Sequence, residues 1–105
     1  MTTKQFKNVI TKQLSMMYNY HFEKNGIKKA STKSFKENIE RASESVYEYF
    51  KDIIKVSKIN HLNISLGKFN ECGENFYECD AQISFHYDNY KFIRTHCYTC
   101  ISNWG

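Results

Sequence analysis

Residues 34–58 read SFKENIERASESVYEYFKDIIKVSK, and this stretch decides the fold. Its apolar residues recur at alternating steps of four and three: Phe35, Ile39, Ala42, Val46, Tyr49, Ile53 and Val56. This spacing places them along one side of a helix, where Phe50 and Ile54 widen the apolar stripe. Ser34 and Glu37 fit a capping box, because each side chain can bond a backbone N–H that the first turn leaves free. The sequence therefore predicts one long amphipathic helix over this stretch.

The residues before this stretch predict another amphipathic helix, over positions 3–24. Its apolar side carries Phe6, Val9, Ile10, Leu14, Met17 and His21. Gly26 is a suitable C-terminal stop, because glycine accepts the left-handed backbone conformation that commonly ends a helix. The polar connector over positions 25–33 is long enough for the two helices to pack antiparallel.

After Lys58 the apolar period changes from helical to two, which indicates strands. A first strand is predicted over positions 61–68, with one face formed by Leu62, Ile64 and Leu66. Positions 69–75 are predicted to form a loop. The alternation is cleanest in the second strand, whose inward residues are Tyr77, Cys79, Ala81, Ile83, Phe85 and Tyr87. Asp88 and Asn89 supply a short turn, since both residue types tolerate positive φ, and positions 91–101 return as a third strand.

The inward face of the third strand depends on the length of that turn. A two-residue turn would direct inward Phe92, Arg94, His96 and Tyr98, whereas a three-residue turn would direct inward Ile93, Thr95, Cys97 and Ile101. We favour the second arrangement, because it avoids burying the charge of Arg94 without a partner.

These elements predict an α+β fold: two N-terminal helices packed on a three-stranded antiparallel β-meander, an ααβββ two-layer sandwich. We expect a single domain over residues 1–105, with a helical part at 3–58 and a sheet part at 61–101. Such a sheet has two open edges, and we expect a homodimer or a partner's strand to cover one of them.

Length, charge and hydropathy argue against a membrane-spanning or secreted protein. The chain has 105 residues and a net charge of +4, and it lacks an apolar run long enough to span a membrane. No secretory signal is visible, so we expect a cytoplasmic protein with reduced thiols.

The N-terminal third is rich in lysine, and its densest patch consists of Lys24, Lys28, Lys29 and Lys33. Such a patch can bind nucleic acid. However, lysine outnumbers arginine 13 to 2, a bias that an AT-rich genome produces without selection for binding. Arginine, rather than lysine, is also the residue preferred for bidentate hydrogen bonding to phosphate.

Four cysteines form the sharpest chemical pattern: Cys72, Cys79, Cys97 and Cys100. A structural zinc ion takes four thiolate or imidazole ligands, and the last two cysteines have the spacing of one half-site. The alternatives are idle thiols, which pack as small apolar groups, and a disulfide joining Cys79 to Cys97. We expect no enzyme, since a Cys-dependent hydrolase or redox centre would need an activating neighbour or a following helix that the sequence lacks.

The long helix also carries an acidic ridge, defined by Glu37, Glu40, Glu44, Glu48 and Asp52. Their steps of three and four residues place them on one side of the helix. The ridge is a candidate surface for a protein partner with a basic groove; alternatively it is a solvated face whose acids pair with nearby lysines and arginine.

In size and composition the chain looks like the small accessory proteins of bacteriophages and mobile elements. That likeness implies a non-enzymatic protein that binds and blocks a protein partner, such as a host defence complex of the CRISPR type. We expect this function first. Second, we expect nucleic-acid binding through the lysine patch, with or without a structural zinc ion.

Overall fold

The structure is a computed structural model and describes residues 1–89 and 91–104. Of Leu66 it describes only the backbone. The elements, in chain order, are α1 (Thr3–Lys24), α2 (Thr32–Lys51), a 3-10 turn (Val56–Lys58), β1 (Ile59–Gly73), β2 (Phe76–Tyr87) and β3 (Lys91–Ser102). Over the described residues the strands form one antiparallel sheet of order β1-β2-β3. Both helices pack on one face of this sheet, α1 against β1 and α2 against β3. The predicted α+β two-layer arrangement is confirmed.

The first helix begins at a capping box that the sequence analysis missed. The N–H of Gln5 donates to Thr2 Oγ1 at 3.1 Å, and the N–H of Thr2 donates to Gln5 Oε1 at 2.9 Å. These two bonds satisfy donors that the first turn leaves free. The helix ends at Lys24 with Asn25 as its C-cap, and Gly26 follows with φ +66°, as predicted for a left-handed stop.

The second helix begins earlier and ends earlier than predicted. Ser31 is the N-cap, because its side chain accepts from the N–H of Ser34 at 3.1 Å, so the predicted capping box at Ser34 is wrong. The helix ends at Lys51, and the predicted continuation to position 58 is also wrong.

The apolar stripe of α2 departs from the prediction at its C-terminal end. The carbonyl of Phe50 accepts from the N–H groups of both Ile53 and Ile54 at 3.0 Å, which closes the last turn. Phe50 is buried, whereas Tyr49 and Ile53 are 55% and 60% exposed. The predicted inward positions of Tyr49 and Ile53 are therefore wrong. Tyr49 lies within the helix, where its neighbour Phe50 occupies the core position of that turn, and the chain leaves the helical path before Ile53 can join the stripe. Val56 reaches the core from the 3-10 turn instead.

The two helices are antiparallel, as predicted. Phe6 near the start of α1 meets Phe50 near the end of α2, with ring centroids 6.3 Å apart. At the other end Phe22 meets Phe35, with ring centroids 5.8 Å apart. Among the described residues, neither helix has the length and apolar character needed to cross a membrane.

The first strand is longer than predicted, because bulges change its alternation. Its pairing with β2 shifts register between Asn60 and Asn63, between Ser65 and Lys68, and between Glu71 and Gly73. An extra residue in a bulge moves the side chains that follow to the other face of the sheet. Beyond the second shift Phe69 therefore turns inward, where its ring stacks on Tyr77 at 5.6 Å.

The predicted loop at 69–75 is wrong for the same reason, since most of it continues β1. The chain reverses instead at Glu74 and Asn75, the latter with φ 59°. Of the residues predicted on the inward face of β1, Leu62 is half-buried and Ile64 is buried. The predicted direction of the Leu66 side chain lies outside the described residues.

The second and third strands follow the prediction. Tyr77, Cys79, Ala81, Ile83 and Phe85 are buried on the inward face of β2. The register pairs Tyr87 with Lys91, so the turn spans three residues, and Asp88 and Asn89 have the expected positive φ values of 58° and 66°. The inward face of β3 carries Ile93, Thr95, Cys97 and Ile101, as predicted for this turn.

One buried polar network joins α1 to the sheet. The hydroxyl of Tyr18 lies 3.0 Å from the carbonyl oxygen of Thr99 and 2.9 Å from its Oγ1. The hydroxyl of Thr99 in turn donates to the carbonyl of Cys79 at 3.2 Å. Tyr18 is fully buried, so its hydroxyl depends on these partners and fixes the position of α1 over the strands.

We predict that Tyr18→Phe lowers the free energy of unfolding by about 1–3 kcal/mol, because polar atoms of Thr99 lose their buried partner. Urea denaturation followed by circular dichroism measures this loss. Tyr20→Phe is the matched control, since Tyr20 is 47% exposed, and it should change stability by less than about 0.5 kcal/mol. Equal effects of the two substitutions would contradict the role of the network.

We predict that Gly67→Ala prevents normal pairing of β1 with β2. A Cβ atom at Gly67 would overlap the carbonyl oxygen of Asp80, so one backbone must move. Gly73→Ala is the control, because its Cβ would meet only the side chain of Phe76 at an ordinary 3.7 Å. The measurement is urea denaturation; a Gly67→Ala protein as stable as Gly73→Ala would show that this close approach is absent.

Candidate functional site

The outward face of β3 exposes a row of large and polar side chains. Because side chains alternate along a strand, the three-residue turn that buries one set directs the other set outward. This outward row consists of Phe92, Arg94, His96, Tyr98 and Cys100, and each of them is exposed. Tyr98 is 68% exposed and Phe92 is 54% exposed, values unusual for aromatic side chains in a regular strand.

Aromatic rings extend from Phe92 across the sheet. His86 lies opposite Phe92 with ring centroids 5.5 Å apart, and His61 meets His86 at 5.2 Å. The guanidinium of Arg94 lies 5.5 Å from the Phe92 ring, close enough for a cation–π contact. All three strands therefore contribute rings to one exposed patch near the turn at Asp88 and Asn89.

The charges of the outward face balance. Lys68 lies opposite Asp80, and Nδ1 of His96 lies 3.4 Å from Asp80 Oδ1. The register places two basic residues in the outward rows of the described strands, Lys68 and Arg94, and two acidic residues, Glu78 and Asp80. This face consequently lacks the excess of positive charge that phosphate backbones require.

The two edges of the sheet differ in regularity. β1 is interrupted by three register shifts over its described length, and His61 adopts a positive φ of 54° at the first. β3 pairs with β2 from Lys91 to Ser102 without a register shift. Bulges twist an edge away from new strand pairing, so β1 is protected by them and β3 is not.

The acidic ridge lies on the exposed side of α2, and the structure pairs two of its carboxylates. Lys7 of α1 bonds Glu44 at 2.8 Å, and Lys51 bonds Glu48 at 2.6 Å. Glu37 and Glu40 are exposed on the same helix, and Asp52 is its C-cap. The pairs reduce the negative field that the ridge presents. Its role in partner binding stays a prediction.

The lysine patch lies at the end of the molecule opposite the aromatic patch. Nδ2 of Asn103 donates to the carbonyl of Lys28, and the N–H of Ala30 donates to Asn103 Oδ1, at 3.1 and 3.0 Å. The connector between the helices is therefore tied to the C-terminal segment, which carries the exposed Trp104.

The patch is less uniform than the sequence suggests. Lys29 is half-buried over the Phe35 ring at 4.3 Å, and Lys24 lies 5.8 Å from the Tyr20 ring. Lys28 and Lys33 are exposed.

The four cysteines do not converge on one site. Cys79 and Cys97 face the core, whereas Cys72 and Cys100 are exposed, with their Sγ atoms 3.9 Å apart. All four are free, so the alternative of a disulfide between Cys79 and Cys97 is wrong. The register explains this, because Cys79 lies opposite Thr99 rather than opposite Cys97.

The thiols and His96 lack the arrangement of a nucleophilic centre. Cys97 is buried while His96 points to the opposite face of the sheet, so the two side chains cannot meet. Burial raises the pKa of the Cys97 thiol. Burial also raises the pKa of Cys100, and the neighbouring Cys72 and Glu78 add to the effect. Both thiols are consequently less ionised at neutral pH than a free cysteine, the reverse of an activated nucleophile.

His21 is an ionisable group within the apolar layer. Its ring stacks on Phe69, with centroids 4.7 Å apart and the planes 4° from parallel. Burial lowers the pKa of His21 and the charge of Lys24 adds to this, while a hydrogen bond with the backbone of Gly67 partly opposes them. The folded protein therefore favours the neutral ring, and protonation opposes folding.

We predict that this histidine makes the protein less stable as pH falls from 7 to 5. Below the unfolded pKa of about 6.5 the unfolded chain binds more protons at His21 than the folded chain does, so the free energy of unfolding declines with decreasing pH. His21→Phe keeps an aromatic ring on Phe69 and removes the titration. Urea denaturation at several pH values should show a smaller decline in this variant; parallel curves for both proteins would contradict the assignment.

Sequence reasoning found the inward rows but missed the exposed aromatic patch. The signal was present, because positions 91–101 contain large side chains in both phases of the alternation. A strand with one solvated face normally carries polar residues there. Phe92 and Tyr98 in the outward phase therefore indicated an exposed aromatic surface on the third strand.

The chain matches no protein-family model, no curated protein and no solved structure.

Proposed function

We propose that this chain is a non-enzymatic protein that binds a protein partner through β3. The observation that carries the proposal is the combination of a regular edge strand with exposed Phe92 and Tyr98 on its outward face. An edge strand offers unpaired N–H and C=O groups along its length, and the exposed rings offer apolar area beside them. The partner that fits is an extended segment of another protein, which adds a strand next to β3 and covers both rings.

The residue types of the outward row favour a protein partner. Tyrosine and arginine are enriched among the residues that carry most of the binding energy in protein interfaces. The row provides Tyr98 and Arg94, and Phe92 adds a second ring within reach of that guanidinium. Balanced charge on this face supports the same proposal, since protein interfaces do not need a positive excess.

The more specific expectation, inhibition of a host defence complex, rests on size and composition alone and stays a prediction. The proposal requires only that binding is the function and that β3 is the surface.

We predict that Tyr98→Ala weakens partner binding by about 30-fold, the loss typical of a central interface residue. Tagged wild-type and variant chains are used to capture proteins from a host lysate, and each captured protein is quantified by mass spectrometry. Tyr20→Ala is the matched control, because Tyr20 is 47% exposed on α1, the helix that packs against β1. The expected partner is retained by Tyr20→Ala and lost by Tyr98→Ala and by Phe92→Ala.

Charge reversal of the acidic ridge separates the two candidate surfaces. A variant with Glu44→Lys, Glu48→Lys and Asp52→Lys should retain the partner if β3 is the interface. Hydrogen exchange of the purified complex should then show protection of β3 amides beyond that of the free chain. Binding that is abolished by the reversal and unchanged by Tyr98→Ala would overturn the proposal. So would a stable homodimer in which β3 is already paired.

One observation favours nucleic-acid binding as a second candidate. The contacts of Asn103 hold the segment that carries exposed Trp104 against the lysine-containing connector, so an aromatic ring and a basic patch belong to the same end of the molecule. Single-stranded nucleic acid binds to such combinations by stacking and phosphate contacts. Affinity for a labelled oligonucleotide that falls steeply with salt, and that Lys28→Gln with Lys33→Gln weakens, would support this candidate over the first.

A further inference from the structure

Two exposed thiols meet on the outward face of the sheet, close to its 74–75 turn. Cys72 belongs to β1 and Cys100 to β3, the strands on either side of β2. Their Sγ atoms are 3.9 Å apart although 27 residues separate them in the sequence. Cys100 continues the outward row of β3 beyond Tyr98, so the thiol pair adjoins the proposed partner interface.

A direct disulfide does not fit this pair. Neighbouring strands lie about 4.8 Å apart, so the backbones of β1 and β3 are separated by two such spacings, roughly 9.6 Å. Disulfides join residues whose Cα atoms are about 4.4–6.8 Å apart. The thiols of Cys72 and Cys100 approach only because both side chains lean over β2, and closing an S–S bond would require the strands to move.

A shared metal ion fits the distance as it stands. In tetrahedral zinc sites the Zn–S bonds are about 2.3 Å, which places two sulfur ligands about 3.8 Å apart. The observed separation is 3.9 Å. An ion between the two sulfur atoms would therefore need little displacement of either strand.

We propose that Cys72 and Cys100 are the protein ligands of a thiophilic metal ion, Zn²⁺ or Cu⁺. Thiolates select these ions over harder cations. On binding, each thiol releases one proton and forms one metal–sulfur bond, with no change in the oxidation state of sulfur or metal.

The number of ligands sets the stoichiometry for each ion. Among the described residues, no group of three or more His, Cys, Asp or Glu side chains is placed to hold a metal, so each chain contributes two ligands. Cu⁺ is stable with two thiolates, which predicts one ion per chain. Zn²⁺ takes four ligands, which predicts one ion shared by the cysteine pairs of two chains.

The test titrates reduced, metal-free protein with Zn²⁺ or Cu⁺ against a competing chelator. Bound metal is counted by elemental analysis, and the size of the protein is measured by analytical ultracentrifugation. We expect one Cu⁺ per monomer and one Zn²⁺ per dimer. Cys72→Ser and Cys100→Ser should each lose the metal, whereas Cys79→Ala and Cys97→Ala, which change cysteines that face the core, should retain it.

A second measurement uses only the wild-type protein, so it does not depend on whether a variant folds. Alkylation of wild-type protein with iodoacetamide, followed by peptide mass spectrometry, reports the accessibility of each thiol. Bound metal should slow the alkylation of Cys72 and Cys100 together. Unchanged alkylation at saturating metal, retention of metal by Cys72→Ser, or loss of metal in a folded Cys79→Ala protein would overturn the proposal.

Discussion

One-sided burial of the sheet is the constraint on which the structure depends. The inward row of β2 and the apolar stripe of α2 form one core, and α1 adds Phe6, Ile10 and Leu14 to it. A three-stranded sheet has too little area to bury both faces within a chain of this length, so the helices cover one face and the other stays in contact with water. The outward aromatic row of β3 and the pair of exposed thiols are both consequences of this arrangement.

The bulges of β1 make this core possible. Without the register shift at Gly67, the alternation that directs Ile64 inward would direct Phe69 outward. The shift instead inserts Phe69 between His21 and Tyr77, and the resulting stack closes the core at the end where α1 finishes. The same irregularity leaves β1 a poor template for strand addition, so it shapes the core and limits new pairing to the other edge of the sheet.

Periodicity was sufficient to predict the elements that keep one phase throughout. The inward row of β2 followed from spacing alone. The inward row of β3 also required the cost of burying Arg94, and the antiparallel helices followed from the length of their connector. The end of α2 could not be predicted, because no glycine or proline marks it and the apolar pattern runs on through Ile53. The extent of β1 was missed because its bulges reverse the alternation. The proximity of Cys72 and Cys100 is a tertiary fact, since it requires both outer strands to flank β2.

Hydroxyl-radical footprinting of the isolated chain, read by mass spectrometry, tests the one-sided burial most directly. The account predicts rapid oxidation of Tyr98 and Phe92 on the outward face, with Tyr18 and Phe85 protected until the protein is unfolded by urea. Protection of Tyr98 equal to that of Tyr18, or oxidation of Phe85 in the native protein, would contradict it.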